Sequence, residues 1–223
     1  MKRPRKKPLR TVVLTSTDNF VWSSMQEIIP GIEEAWRKSA DAKHTVRVVD
    51  TGRESISSYL ADVMQADHVV FTCFTVKLAR LGEFLRRDAA VPGRYVIYLH
   101  NQATIACWPL FAWGMGEHLK TSDVFVSASR YDARTLKLTF PRAKVVLHPF
   151  WLPGKVEEVR KKRNRATTFV YAGRISSQKN LHTLLCSFAL YRTMNESDPK
   201  DRLVIYGGED GLGSPNMGFK DEG

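Results

Sequence analysis

Phe169-Val-Tyr-Ala-Gly173-Arg174-Ile-Ser-Ser-Gln-Lys179-Asn180-Leu-His-Thr-Leu-Leu is the stretch on which the fold turns. Its first four residues form a short run of aromatic and β-branched type, as a buried strand does. Gly173 allows a tight turn in which backbone can come close to a ligand. Apolar residues at helical spacing begin at Leu181, so Lys179 and Asn180 open a helix. A strand that ends in glycine, with a guanidinium, an ammonium and a helix N-terminus at its carboxyl end, is an anion site suited to a diphosphate. The plainer alternative pairs Arg174 with a surface carboxylate and leaves Lys179 in water. The order strand, glycine, arginine, lysine, helix favours the phosphate.

Downstream, the helix spans 180–193 and a strand spans 203–206, ending at Gly207-Gly208. One βαβ unit of this size cannot bury both faces of its sheet, so it leans on the rest of the chain or belongs to something longer. Upstream, Pro149, Pro153, Gly154 and a basic run over 155–165 punctuate the chain. Before them, strand-like runs at 11–15, 45–50, 68–73, 95–100, 123–128 and 144–148 are rich in Val, Ile, Tyr and Phe. Most are continuously apolar, as strands covered on both faces of a parallel sheet are. Helical spacing relates Phe20, Met25, Ile28, Ile32 and Trp36, with a break or kink expected at Pro30-Gly31. Further helices are expected over 54–66 and 76–87. This βαβα rhythm predicts a doubly wound α/β domain with right-handed crossovers and ligands at the carboxyl ends of its strands. The expected layout is a basic tail (1–10), a first domain (11–150), a linker (151–167) and part of a second α/β domain (168–223).

At 223 residues, with 43% hydrophobic and 26% charged residues, the composition is that of a globular protein. No apolar run reaches the roughly 18 residues a membrane-spanning helix needs. The basic N-terminus has no long apolar stretch behind it and does not read as a secretory signal. Cys73, Cys107 and Cys186 are widely spaced and apolar-flanked, which reads as buried, reduced thiols of a cytoplasmic protein. The formal charge of +11 is concentrated in Lys2, Arg3, Arg5, Lys6, Lys7 and Arg10 and in Arg160 to Arg163. Such runs serve as solvated tails, meet acidic membrane surface, or bind nucleic acid phosphates. Neither run interleaves aromatics or glycines, which counts against nucleic acid. Peripheral contact with acidic membrane through residues 2–10 stays open.

The 169–185 segment resembles the Gly-Arg…Lys-Asn/Gly loop of retaining GT-B glycosyltransferases, in particular glycosyltransferase family 4. Arg202-Leu-Val-Ile-Tyr-Gly207-Gly208 resembles the next strand and glycine turn of that family. Val145-Val-Leu-His-Pro149-Phe150 is similar to its passage between domains, and Tyr95-Val-Ile-Tyr-Leu-His100-Asn101-Gln102 to its fourth strand. Together these cover most of residues 11–213. The resemblance implies a GT-B-type fold: one complete Rossmann-like acceptor-side domain plus the first part of a nucleotide-sugar-side domain. It implies a hexosyltransferase-like enzyme moving a sugar from a nucleotide-diphosphate donor to an acceptor (glycan, lipid or protein) with retention of configuration. Arg174 and Lys179 would neutralise the leaving diphosphate. Gly173, Asn180, Gly207 and Gly208 would line its cradle. His100 would stand beside the donor sugar as a hydrogen-bond donor; the alternative is a structural histidine at a strand end. Enzymes of this kind neutralise the diphosphate with protein cations, so neither metal nor cofactor is expected. Glu209-Asp210 reads as a turn. Ser127 and Ser129 either line the acceptor cleft or cap a strand end.

Two departures matter. The loop after the first strand reads Ser16-Thr17-Asp18-Asn19 rather than glycine-rich. The family's two glutamates, eight positions apart, would lie beyond Gly223, so the resemblance implies a second domain incomplete in this chain. The rival expectation is a non-catalytic GT-B relative, a binding or scaffold module at a membrane surface or with a protein partner.

Overall fold

A computed structural model describes residues 7–16, 23–73, 75–99, 114–149, 166–173, 175, 179–194 and 197–208. The chain divides into two compact units, Met1–Lys155 and Val156–Gly223.

The first unit is built on six parallel strands: β1 (Leu9–Thr15), β2 (His44–Asp50), β3 (His68–Phe71), β4 (Arg94–Leu99), β5 (Val124–Ser127) and β6 (Lys144–Leu147). Their order across the sheet is β2-β1-β3-β4-β5-β6. Among the described residues, four α-helices lie between them: α1 (Ser23–Lys38), α2 (Ile56–Met64), α3 (Val76–Arg87) and α4 (Arg130–Thr139). The step from β1 to β2 runs one way and the step from β2 past β1 to β3 runs the other. With right-handed crossovers, this reversal places helices on both faces. The class is therefore the α/β one expected, and the switch in direction falls between β1 and β3.

The core follows from the apolar runs. Val12, Leu14, Val69, Phe71, Tyr95, Ile97 and Phe125 of the sheet pack with Ile29, Tyr59, Val63, Leu78, Leu85 and Leu136 of the helices. Phe71 meets the Tyr95 ring edge-on, centroids 5.0 Å apart. Continuous burial holds for β1 from Thr11 onward and nearly throughout β3. It fails in β2 and β6, because both lie at the margins of the sheet.

The break allowed for at Pro30-Gly31 does not occur, and one helix was not anticipated. α1 runs unbroken through Pro30 from Ser23 to Lys38. Proline removes one backbone donor, but burial of Ile29 beside it holds the helix against the sheet. α4 was not expected at all. Its start is fixed by Ser129, whose Oγ accepts the Asp132 amide hydrogen at 3.3 Å.

The second unit comprises β7 (Thr168–Ala172), α5 (Leu181–Thr193) and β8 (Arg202–Tyr206), with β7 and β8 parallel. Phe169 lies edge-on to Phe188 and Tyr191 of α5, which assigns one face of the pair to the helix. Val170 and Tyr206 alternate onto the other face and are each 62% exposed. Asp201 ties the unit together by accepting from the Thr167 amide, the Asp198 amide and the Tyr191 hydroxyl. Those bonds hold its carboxyl below the usual carboxylate range. Cys73 is buried as expected, but Cys186 is exposed. At helical spacing Cys186 falls on the side of α5 away from Phe188 and Tyr191, which meet Phe169; Cys107 lies outside the described residues.

Candidate functional site

The carboxyl end of β7 and β8 is where the glycines meet. The Gly173 amide donates to the Tyr206 carbonyl at 2.9 Å, and the Ile175 amide donates to the Gly208 carbonyl at 2.9 Å. The two segments thus stay paired beyond the ends of their strands. A Cβ built on Gly207 would run into the carbonyl oxygen of Gly173, which is backbone and cannot yield. Only glycine allows the two turns to approach this closely. A Cβ on Gly208 would meet nothing within 4 Å, so that position is open.

α5 begins at the same end of the unit. Asn180 stands at its N-cap in the left-handed conformation (φ 54°, ψ 38°), which asparagine tolerates better than most residues. Its Oδ1 accepts the Thr183 hydroxyl hydrogen at 2.7 Å. The Asn180 side chain itself makes no cap bond to the first-turn amides. First-turn amide hydrogens have no partner within the helix, and the helix dipole favours an anion there. Lys179 is exposed and makes no ion pair with any described residue. The structure thus groups Gly173, Gly207 and Gly208 at one strand edge, with Lys179 and Asn180 heading the helix that follows. Arg174 and His100, the other two expected site residues, lie outside the described residues.

The first unit carries a row of hydroxyls at the carboxyl edge of its sheet, and the sequence reading passed over it. Thr51 Oγ1 donates to the Thr15 carbonyl at 2.8 Å, and Thr72 Oγ1 lies 3.1 Å from Thr15 Oγ1. All three threonines are buried. The available signal was a threonine closing three successive strands: Leu14-Thr15, Asp50-Thr51 and Phe71-Thr72. Ser127 and Ser129 close on each other: Ser127 Oγ donates to the Ser129 carbonyl at 3.1 Å and accepts the Ser129 amide hydrogen at 3.3 Å. That is a cap. Among the described residues, no three His, Cys, Asp or Glu side chains converge as a metal site would require, and no helix is long and apolar enough to cross a membrane.

The opposite edge of the sheet is structural. Arg86 donates to Asp123 at 2.6 Å, and the two side chains are 2% and 1% exposed. Arg86 also donates to the Val91 carbonyl and lies over the Tyr95 ring, 3.8 Å from its centroid. Asp123 further accepts from the Tyr95 and Lys120 amides.

The six-stranded parallel sheet flanked by helices, followed by a further βαβ unit, is an α/β fold shared with a glycosyltransferase. That solved structure is the apo form of the lipopolysaccharide outer core galactosyltransferase WaaB, with a TM-score of 0.55 at 13% identity over 90% of this chain. The alignment covers 61% of the galactosyltransferase, so the chain spans about three fifths of that structure's length. At this identity the likeness is one of fold. No protein-family model and no curated protein sequence matches the chain.

Proposed function

We propose that this chain belongs to a glycosyltransferase that moves a sugar from a nucleotide-diphosphate donor to an acceptor with retention of configuration. One observation carries the reading: the stitched glycine turns of β7 and β8 lie at the same end as the first turn of α5, which the Asn180 side chain leaves uncapped. A fold shared with a galactosyltransferase supports it. The diphosphate would lie against the open backbone at Gly208 and the amides beyond Asn180, with Lys179 and Arg174 as counter-charges. Such groups stabilise charge as it develops on the leaving diphosphate, without covalent chemistry of their own. His100 would donate a hydrogen bond to the donor sugar. Protein cations and amides do the neutralising, so the reaction would need neither metal nor cofactor.

Calorimetric titration of the chain with nucleoside diphosphates tests this. Heat is expected with at least one base. Lys179→Ala and Arg174→Ala should weaken binding, and in a complete enzyme each should lower turnover roughly 10²- to 10³-fold. Gly208→Ala is the sharper variant, because its added methyl meets no protein atom. It should leave the melting temperature unchanged yet weaken the nucleotide. No heat with any nucleoside diphosphate would overturn the donor assignment and leave a binding module.

A further inference from the structure

In the first unit, several helices and strands carry paired charges. Arg37 and Lys38 of α1 pair with Glu33 and Glu34, and Arg87 of α3 pairs with Glu83 and Asp88. Arg47 pairs with Glu54 and Asp62, and Arg53 with Asp50. On α4 no such pair forms among the described residues. Its Arg130, Arg134 and Lys137 are exposed, and none forms an ion pair with a described residue. The helix has one carboxylate, Asp132, and it is buried.

At about 100° per residue, Lys137, Arg130, Arg134, Leu138 and Tyr131 fall in that order across an arc of roughly 120°. Leu138 and Tyr131 are 77% and 71% exposed, the highest values for large hydrophobic residues among those described. Beyond the helix, Arg142, Lys144 and Leu147 are also exposed, on the turn and the edge strand β6 that α4 precedes. Between residues 130 and 149, Asp132 is the single acidic residue. Residues 130–149 thus combine exposed cations with no exposed carboxylate of their own, and they carry bare aliphatic and phenolic side chains.

We propose that the exposed face of α4 docks on an anionic lipid bilayer. The cations would meet lipid phosphates, Leu138 would enter the acyl boundary, and the Tyr131 ring would lie at the headgroup level with its hydroxyl in water. A nucleic acid would satisfy the cations but offer nothing to bury Leu138, which favours the bilayer. The contact is separate from the basic arm at residues 2–10 and does not depend on the transferase reading.

Flotation of the full chain with phosphatidylcholine vesicles, with and without phosphatidylglycerol, provides the test. The chain should float with the anionic vesicles only. Arg130→Gln and Arg134→Gln should each lower the partition coefficient roughly fivefold. Leu138→Ser and Tyr131→Ser should lower it several-fold while leaving the melting temperature unchanged, since both side chains are exposed. A variant with Lys2, Arg3, Arg5, Lys6 and Lys7 changed to glutamine separates the arm, and should retain the dependence on Leu138. If the arm variant abolishes binding while the α4 variants leave it intact, the proposal fails. It fails equally if the cation variants weaken vesicles and duplex DNA alike while Leu138→Ser and Tyr131→Ser change neither.

Discussion

His68 opens β3 half-buried, its Nδ1 3.5 Å from the Thr11 hydroxyl, whose other neighbour is His44 Nε2 at 2.8 Å. Burial disfavours the charged imidazole, and Arg94 and His44 add to that effect against an opposing pull from Asp67. The ring's pKa is therefore lowered below the ordinary histidine value. The unfolded chain then takes the proton more readily than the folded one. His68 stabilises the fold fully above about pH 6.5, and that contribution is lost as the pH falls from there through the depressed native value. The denaturation midpoint should drop between about pH 7.5 and 5.5, and His68→Gln should flatten the drop. Identical slopes in the two proteins would remove His68 as its source. Little of this could be read along the chain. Thr11, His44 and His68 come together only because β2, β1 and β3 are neighbours, and the Arg86–Asp123 pair likewise joins residues 37 apart. The glycines and Lys179-Asn180 were legible because they are contiguous with the strand and helix they serve.

Among the elements, strands were legible because four to seven residues of Val, Ile and aromatic type have few other places to go in a layered α/β fold. α4 was not, since exposed Tyr131 and Leu138 blur the apolar stripe by which a short amphipathic helix is recognised. Its N-terminus was readable all the same: Ser129-Arg-Tyr-Asp132 is a serine followed three residues later by a carboxylate. The same serine is bonded to Ser127 at the end of β5 as well as to the first turn of α4. Ser129→Ala removes the acceptor for the Asp132 amide and should cost about 1 kcal/mol. Urea denaturation should show a lower midpoint with an unchanged slope. A midpoint equal to that of the parent would mean water or another group caps α4 instead. Pro30 teaches the converse. A helix breaker in the pattern was overruled by the burial of Ile29, because tertiary packing outweighs local propensity when the apolar face has a sheet to cover.

At the scale of the whole molecule, the two units differ in how much they enclose. The first buries a continuous core from Val12 to Ala143. Among the described residues of the second, Asp201 alone is buried, while Val170, Leu185, Leu190, Met194 and Tyr206 are more than half exposed. The shortfall was foreseeable from length, since one βαβ unit cannot cover both faces of its sheet; which side chains would be left bare was not. Buried apolar area is the main source of local stability, so the units should open at different free energies. Amide exchange measured on the full chain should find β1, β3 and β4 protected up to global unfolding. β7, α5 and β8 should exchange roughly 10²-fold faster if their opening costs about 3 kcal/mol less. Uniform protection would refute that ordering. A nucleoside diphosphate held at the glycine turns would bind only the closed form and so raise the opening free energy in proportion to ln(1 + [L]/Kd). Slowed exchange should then appear in β7, β8 and the first turn of α5, and in Lys179→Ala only at higher nucleotide concentration. If protection rose instead at the carboxyl edge of β1 and β3, the nucleotide would belong to the switch point of the first sheet and the donor site would have to be reassigned there.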